Sequence, residues 1–434
     1  MKYFNLKKSD EVVSFREATI KGQGEDKGLF FPSTLPNFSK DFLFSLKELT
    51  NEEIAFACIK DFVGEEIPEN ELKKIINETV SFEIPLKKIN DHIYSLELFH
   101  GPTLAFKDVG ARFMSRCLSY FLKEEQRKIT VLVATSGDTG GAVANGFYDV
   151  PNIDVVIVYP KGRVSEVQEK QLTALGKNIH ALEVNGTFDD CQALVKQAFS
   201  DQEIHQHIVL TSANSINVAR WLPQQIYYLL AVKQWLQLED IQPVISVPSG
   251  NFGNICAGLL ASVRGLPVDH FIAACNKNDV FPKFLESEKY QPQDTFATIS
   301  NAMDVGDPSN FVRVLQLFDH QFSRLKETVS SVSISDEDTL STISEVYQQY
   351  GYILDPHGAV AYKALDNYLK ENVGKKGMIL ETAHPVKFPA AVEKATGKSC
   401  EIPSSLKELM KQEKIATEIN VNFDELKQFL LNKI

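Results

Sequence analysis

Ile129-Thr130-Val131-Leu132-Val133-Ala134-Thr135-Ser136-Gly137-Asp138-Thr139-Gly140-Gly141 is the stretch whose reading decides the fold. An unbroken β-branched and apolar run reads as a strand covered on both faces, the pattern of a parallel sheet. It stops where hydroxyls and glycines begin, and an Ala/Val/Phe-containing stretch through Tyr148 then reads as a helix. In an open α/β sheet, such a strand end faces the ligand crevice. The first N–H groups of the helix, joined by the hydroxyls of Ser136 and Thr139, are donors suited to an anion such as a carboxylate. An ordinary capped loop is the other reading of the same residues.

The pattern recurs on either side. Short apolar runs such as Asp154–Tyr159 and His207–Leu210 alternate with helical stretches from Ile129 to about Cys275, which predicts a doubly wound α/β architecture. Pro243–Pro248, then Ser249-Gly250-Asn251-Phe252-Gly253-Asn254, then Ile255–Leu260 form another strand, turn and helix. Gly250 and Gly253 permit close backbone approach, and the helix start offers donors and positive dipole to a phosphate. The turn is neither a nucleoside-triphosphate loop, which needs Lys and Ser/Thr after its second glycine, nor the three-glycine dinucleotide fingerprint.

Two further positions bear on chemistry. Lys107 sits in Glu97-Leu98-Phe99-His100-Gly101-Pro102-Thr103-Leu104-Ala105-Phe106-Lys107-Asp108-Val109-Gly110, framed by apolar and small residues. Partial desolvation favours the neutral, nucleophilic amine, which suits imine formation with an aldehyde such as pyridoxal phosphate. A lysine whose stem packs while its ammonium reaches water is the alternative. Gly377–Glu381 reads as a buried strand ending in Thr382, whose hydroxyl suits the pyridine nitrogen of such a cofactor.

Together these residues resemble the fold-type II pyridoxal-phosphate enzymes, and within them the threonine synthase family of the longer bacterial type. The resemblance extends through Gly162–Gln168, Gly186–Gln192, Asn214–Arg220, Asp355–Ala359 and Ala383–Pro389, and at the N-terminus through Phe15–Ala18 and Gly28–Pro32. It implies two doubly wound α/β subdomains with a mainly helical N-terminal module. It also implies a pyridoxal-phosphate-dependent lyase that converts O-phospho-L-homoserine and water into L-threonine and phosphate by γ-elimination and β-addition of water. Lys107 matches the lysine that binds the cofactor covalently. Gly250, Asn251, Phe252, Gly253 and Asn254 match the cofactor-phosphate loop, and Thr382 matches the residue at the pyridine nitrogen. Ser136 and Thr139 match substrate-carboxylate and hydroxyl-donor positions, while Ser215, Arg220 and Asn254 match positions around the substrate phosphate. Arg163 and Lys387 are the next candidates there. Asp138 stands where many relatives carry an asparagine near the cofactor's ring oxygen, and an ionised aspartate cannot donate. A serine/threonine dehydratase or phospho-lyase on the same lysine, and more remotely a non-catalytic cofactor-binding relative, remain open as alternatives.

Composition bounds the rest. A chain of 434 residues exceeds one compact core. Its 44% hydrophobic and 24% charged residues are ordinary for a globular enzyme. A net charge of −12 leaves no broad basic footprint for nucleic acid. Six scattered cysteines with no Cys-x-x-Cys pair predict packed thiols and no metal. No apolar leader or membrane-length stretch is present, so the expectation is a cytoplasmic protein with a small-molecule substrate and neither membrane nor obligate protein partner. The expected divisions are 1–82, an N-terminal module; 83–400, the cofactor-dependent core; and 401–434, a helical tail. Arg220 is expected near the start of a long amphipathic helix running toward Leu238.

Overall fold

The computed structural model of the chain describes residues 1–123 and 128–433. Helices Phe15–Lys21, Lys40–Ser45, Asn51–Val63 and Glu69–Thr79 dominate the first eighty residues. Two of them start at capping boxes, Ser14 with Glu17 and Thr50 with Glu53, each satisfying backbone donors that a helix start leaves free. A small antiparallel sheet joins them, with β1 (Lys2–Asn5) between β2 (Val12–Ser14) and β3 (Phe30–Pro32).

The remaining strands, in chain order, are β4 (Leu86–Lys88), β5 (Ile93–Glu97), β6 (Ile129–Ala134), β7 (Ile153–Pro160), β8 (Ile179–Val184), β9 (Val209–Thr211), β10 (Val244–Pro248), β11 (His270–Cys275), β12 (Val329–Ser333), β13 (Gly377–Glu381) and β14 (Thr417–Ile419). They build a six-stranded sheet in the order β12-β11-β10-β13-β5-β4 and a five-stranded sheet in the order β14-β8-β7-β6-β9. Every pairing is parallel except β4 with β5. β5, β6, β10 and β13 are buried at every position, as the unbroken apolar runs require in helix-covered parallel sheets.

The strand order places the turns. The chain winds from β6 outward through β7 and β8 and returns to β9 on the other side of β6. In the larger sheet it winds from β10 through β11 and β12, then returns to β13 on the other side of β10. The turns after β6 and β10 therefore both stand at topological switch points, where an open α/β sheet leaves a crevice.

Two elements depart from the sequence expectation. The tail beyond 400 contributes β14, which pairs in parallel with β8 and extends the smaller sheet, ahead of helix Phe423–Lys433. The helix expected from Arg220 to Leu238 is broken into Val218–Trp221, a 3₁₀ turn Leu222–Gln224 holding Pro223, and Gln225–Leu238. Gln225–Val232 is buried throughout, because that segment lies between helices Asn51–Val63 and Gly253–Val263. An amphipathic surface helix is thus replaced by one enclosed along its first half.

Candidate active site

Local chemistry shapes each turn. After β6, the Thr135 hydroxyl accepts from Gly137 N at 3.0 Å and Gly140 N at 2.9 Å, which folds the chain into helix Asp138–Phe147. Gly137 has φ +135°, a conformation that glycine alone takes freely, and a Cβ there would lie 2.6 Å from the Gln168 amide. After β10, Phe252 takes a left-handed φ of 62° and leads into helix Gly253–Val263. Leu104, just ahead of Lys107, is also left-handed at 56°. Non-glycine residues held this way are strained, and such strain gathers at ligand clamps.

The segment before Lys107 runs beside the end of β13: Phe106 N donates to Thr382 O at 2.9 Å and His384 N to Leu104 O at 3.0 Å. Lys107 then opens helix Lys107–Phe121. Gly110 packs so tightly on the Arg220 carbonyl that a Cβ would lie 2.7 Å from it, and Arg220 Nη1 donates to Lys107 O at 3.3 Å. Lysine and arginine are therefore brought together from segments far apart in sequence.

One cleft of about 980 Å³ is lined by Lys107, Ser136, Thr139, Ser215, Arg220, Thr382 and all of Gly250–Asn254. Of the site residues expected from the sequence, Asp138 is outside this lining, as are the next candidates Arg163 and Lys387. Its Oδ1 accepts from Gln168 Nε2 at 2.9 Å and pairs with Lys387 Nζ at 2.7 Å, while Lys387 also donates to Thr103 O at 2.8 Å. Burial works against the Asp138 carboxylate, yet Lys387 and Lys107, with Gln168, hold it well below the usual carboxylate range. It is an ionised acceptor. Lys387 is fully buried in this pair and Arg163 is exposed outside the cleft lining, so neither stands ready for a substrate phosphate.

Burial pulls the Lys107 amine down to about 8; Asp138 opposes the fall, and Lys387 and Arg220 add to it. Arg220 is buried and lowered to about 10, chiefly by desolvation. Its Nε has no hydrogen-bond partner among the described residues. Asn254 repeats the theme: Tyr228 Oη donates to its Oδ1 at 2.8 Å, fixing the amide so that the buried Nδ2 is left without an acceptor. Ser215 Oγ accepts from Asn251 Nδ2 at 3.1 Å and Asn310 Nδ2 at 2.9 Å, which leaves its own O–H to donate. Buried donors without acceptors cost stability unless a ligand supplies them. These donors, the helix start at Gly253 and a depressed amine in one cleft fit a phosphorylated aldehyde cofactor together with a second anion.

Several contributors carry no local sequence signal. Arg313, fully buried, donates to Ser215 O, Ile216 O, Phe30 O and Asn310 Oδ1, so it braces the Ser215 loop against β3. Lys7, Gln23, Lys27 and Leu29 of the N-terminal part also line the cleft. Gln168 and Lys387 lie inside stretches that carry the family resemblance, and that was their only visible mark.

Comparison with known proteins agrees with this geometry. The family of pyridoxal-phosphate dependent enzymes matches residues 79–381, the threonine synthase N-terminus matches 2–80, and the threonine synthase C-terminal family matches 358–430. The chain is 47% identical over 431 residues to a threonine synthase of Serratia marcescens, covering 99% of each. It is 44% identical over 432 residues to that of Escherichia coli, covering 100% of each. The crystal structure of the Escherichia coli enzyme superposes with a TM-score of 0.93 over 100% of both chains. The pyridoxal-phosphate-bound threonine synthase of Brucella melitensis superposes with 0.92 at 35% identity over 99% of each. With the family matched from end to end, and a cleft holding a depressed lysine amine beside unpaired anion donors, this chain belongs to the threonine synthase family of pyridoxal-phosphate-dependent enzymes.

Proposed function

We propose that this cleft converts O-phospho-L-homoserine and water into L-threonine and phosphate, with Lys107 as the proton-moving amine and Arg220 as the principal ligand of the substrate phosphate. The observation that carries the reading is the buried Arg220 guanidinium, whose Nε lacks a partner among the described residues while Nη1 reaches the Lys107 carbonyl. A guanidinium so placed calls for an anion, and its planar fork suits a phosphoryl group.

Lys107 would hold the cofactor covalently, Gly250–Asn254 would take its phosphate, and Thr382 would meet its ring nitrogen. Pyridoxal phosphate, when bound, supplies an electron sink that stabilises negative charge developing on the substrate carbons. Everything else falls to the chain. The helix start after β6, with Ser136 and Thr139, orients the substrate carboxylate and so presents Cα to Lys107. Its amine, depressed to about 8, lies close enough to neutrality to take the Cα proton and release it, to carry the Cβ proton to Cγ as phosphate departs, and to carry a proton from the water that adds at Cβ back to Cα, the released proton being the one the phosphate gains. Arg220, Ser215 and Asn254 hold the phosphate while the Cγ–O bond breaks, and water adds at Cβ. Asp138 stays ionised as an acceptor, so an asparagine-like donor role is closed to it.

The test is a turnover assay on purified, cofactor-loaded protein with O-phospho-L-homoserine, L-homoserine, L-serine and L-threonine in parallel. Threonine and inorganic phosphate should appear in equal amounts from the phosphorylated substrate alone. Arg220→Leu should keep its visible cofactor spectrum yet lose catalytic efficiency by roughly ten- to hundredfold, the loss of one charge-assisted contact. Faster 2-oxobutyrate release from threonine than threonine release from the phosphorylated substrate would overturn the reading.

A further inference from the structure

The strand that leads to Thr382 ends on Glu381, which is fully buried. Its register neighbour on β5 is Glu97, and Asp355, the buried N-cap of helix Pro356–Glu371, lies within hydrogen-bond reach of its carboxyl. Donors gather on the other two acids. Asp355 Oδ1 accepts from His357 N at 2.8 Å and is bonded to His357 Nδ1, while Oδ2 accepts from Gly358 N at 3.4 Å. Glu97 is met by Tyr352 Oη at 3.0 Å and His100 Nε2 at 2.7 Å. After β13, His384 packs on Phe99 and Lys387 is paired with Asp138. Glu381 is left with one hydrogen, from Asp355 N to Oε1 at 2.6 Å, and its Oε2 has no donor among the described residues. An oxygen without a donor, between two other carboxyls, fits the O–H of a neutral acid better than a third buried anion. Burial, with Asp355 beside it, pushes the Glu381 carboxyl well above the usual carboxylate range. Gly358 makes room for it, since a Cβ there would fall on Glu381 Oε2.

We propose that Glu381 is a positioning residue: one proton held between Glu381 and Asp355 clamps the end of β13 to the start of helix Pro356–Glu371 and so sets Thr382 against the cofactor's ring nitrogen. The inference rests on the assignment of Thr382 to that nitrogen. Side chains alternate along an extended chain, so Thr382 faces the cleft when Glu381 faces the helix. The same helix start reaches toward the turn assigned to the cofactor's phosphate. His357 Nε2 accepts from Ala302 N at 3.2 Å, and the next residue, Met303, packs so closely on Gly250 that a Cβ there would lie 2.5 Å from its Cα. Loss of the shared proton leaves two adjacent buried anions, which drives the strand end away from the helix and takes Thr382 with it.

Two spectroscopies test this. In the cofactor-free protein at about pH 7, the infrared difference between the parent and Glu381→Gln should contain the carbonyl stretch of a protonated carboxylic acid; its absence overturns the inference. In the cofactor-loaded protein, the parent's visible band should shift as pH rises from about 7 to about 10 and Glu381 ionises. Glu381→Gln can accept from Asp355 N and donate to the Asp355 carboxylate at either pH, so it should keep the parent's neutral-pH band and lose most of that shift. Glu381→Leu offers neither bond and should show a displaced band already at about pH 7. A role confined to filling space predicts instead that Gln and Leu behave alike, and that result, or a shift as large in Glu381→Gln as in the parent, overturns the inference while leaving Thr382 at the ring nitrogen. Thr382→Val separates the two claims: if it keeps the parent's band at every pH, the Thr382 assignment falls and the inference with it.

Discussion

Lys107 pays for its reactivity in stability. In the unfolded chain its amine titrates near about 10.4, whereas burial in the folded protein brings it down to about 8. A lowered amine means that the unfolded chain binds the proton more tightly, so the penalty is complete below about pH 8 and fades as pH rises toward about 10.4. Cofactor-free Lys107→Met should therefore exceed the parent in urea midpoint by more at pH 7 than at pH 10. A difference constant across that range would remove the desolvation argument. Lys107 was legible in the sequence because its apolar frame is local: Ala105, Phe106, Val109 and Gly110 are its chain neighbours. The setting of Asp138 was not. Its identity raised the question of how an aspartate serves there, but the partner that answers it, Lys387, arrives only through tertiary packing of the stretch after β13.

At the scale of elements, the two glycine-bearing turns were readable because a buried parallel strand must be apolar and must end in residues that let the backbone bend. The β10 turn makes a sharp prediction. A Cβ on Gly253 would lie 2.9 Å from Ser215 Cβ, so any side chain drives the helix start away from the Ser215 loop. Gly253→Val should lose bound cofactor on dialysis at least about tenfold faster than the parent, with a much smaller change in the melting temperature of the cofactor-free protein. Full cofactor occupancy after dialysis would reassign the turn. The broken helix around Pro223 was less legible, since hydrophobic content distinguishes an enclosed helix from an amphipathic one only when its packing partners are known. β14 was missed for a related reason: Thr417–Ile419 is too short for a period-two pattern and depends on β8 for its place.

Across the whole molecule, that short strand matters more than its length suggests. Ile419, Leu426, Phe429 and Leu430 complete the apolar cluster under the smaller sheet, and Lys414 pairs with Glu169 at 2.8 Å and Glu183 at 2.7 Å. Ending the chain at Pro403 should uncover the β8 edge and this cluster, lowering the melting temperature and producing aggregation measurable by light scattering. A monomeric truncated protein with the parent's melting temperature would show the tail to be dispensable. The route of the chain gives this feature a temporal meaning. β4 and β5 begin the larger sheet, β6 to β9 build the smaller one, β10 to β13 return to the larger, and β14 crosses back. Part of the N-terminal module waits as well, because two of the arginines that fasten it are Arg264, bonded to Pro36 O and Cys58 O, and Arg313, bonded to Phe30 O. On a ribosome these partners emerge after the segments they support, and β14 after every other strand described. A nascent chain stalled just after Thr382 has already made every residue assigned here to the reaction, yet it cannot assemble the catalytic pocket's full support until the stretch carrying β14 is free to seal the sheet.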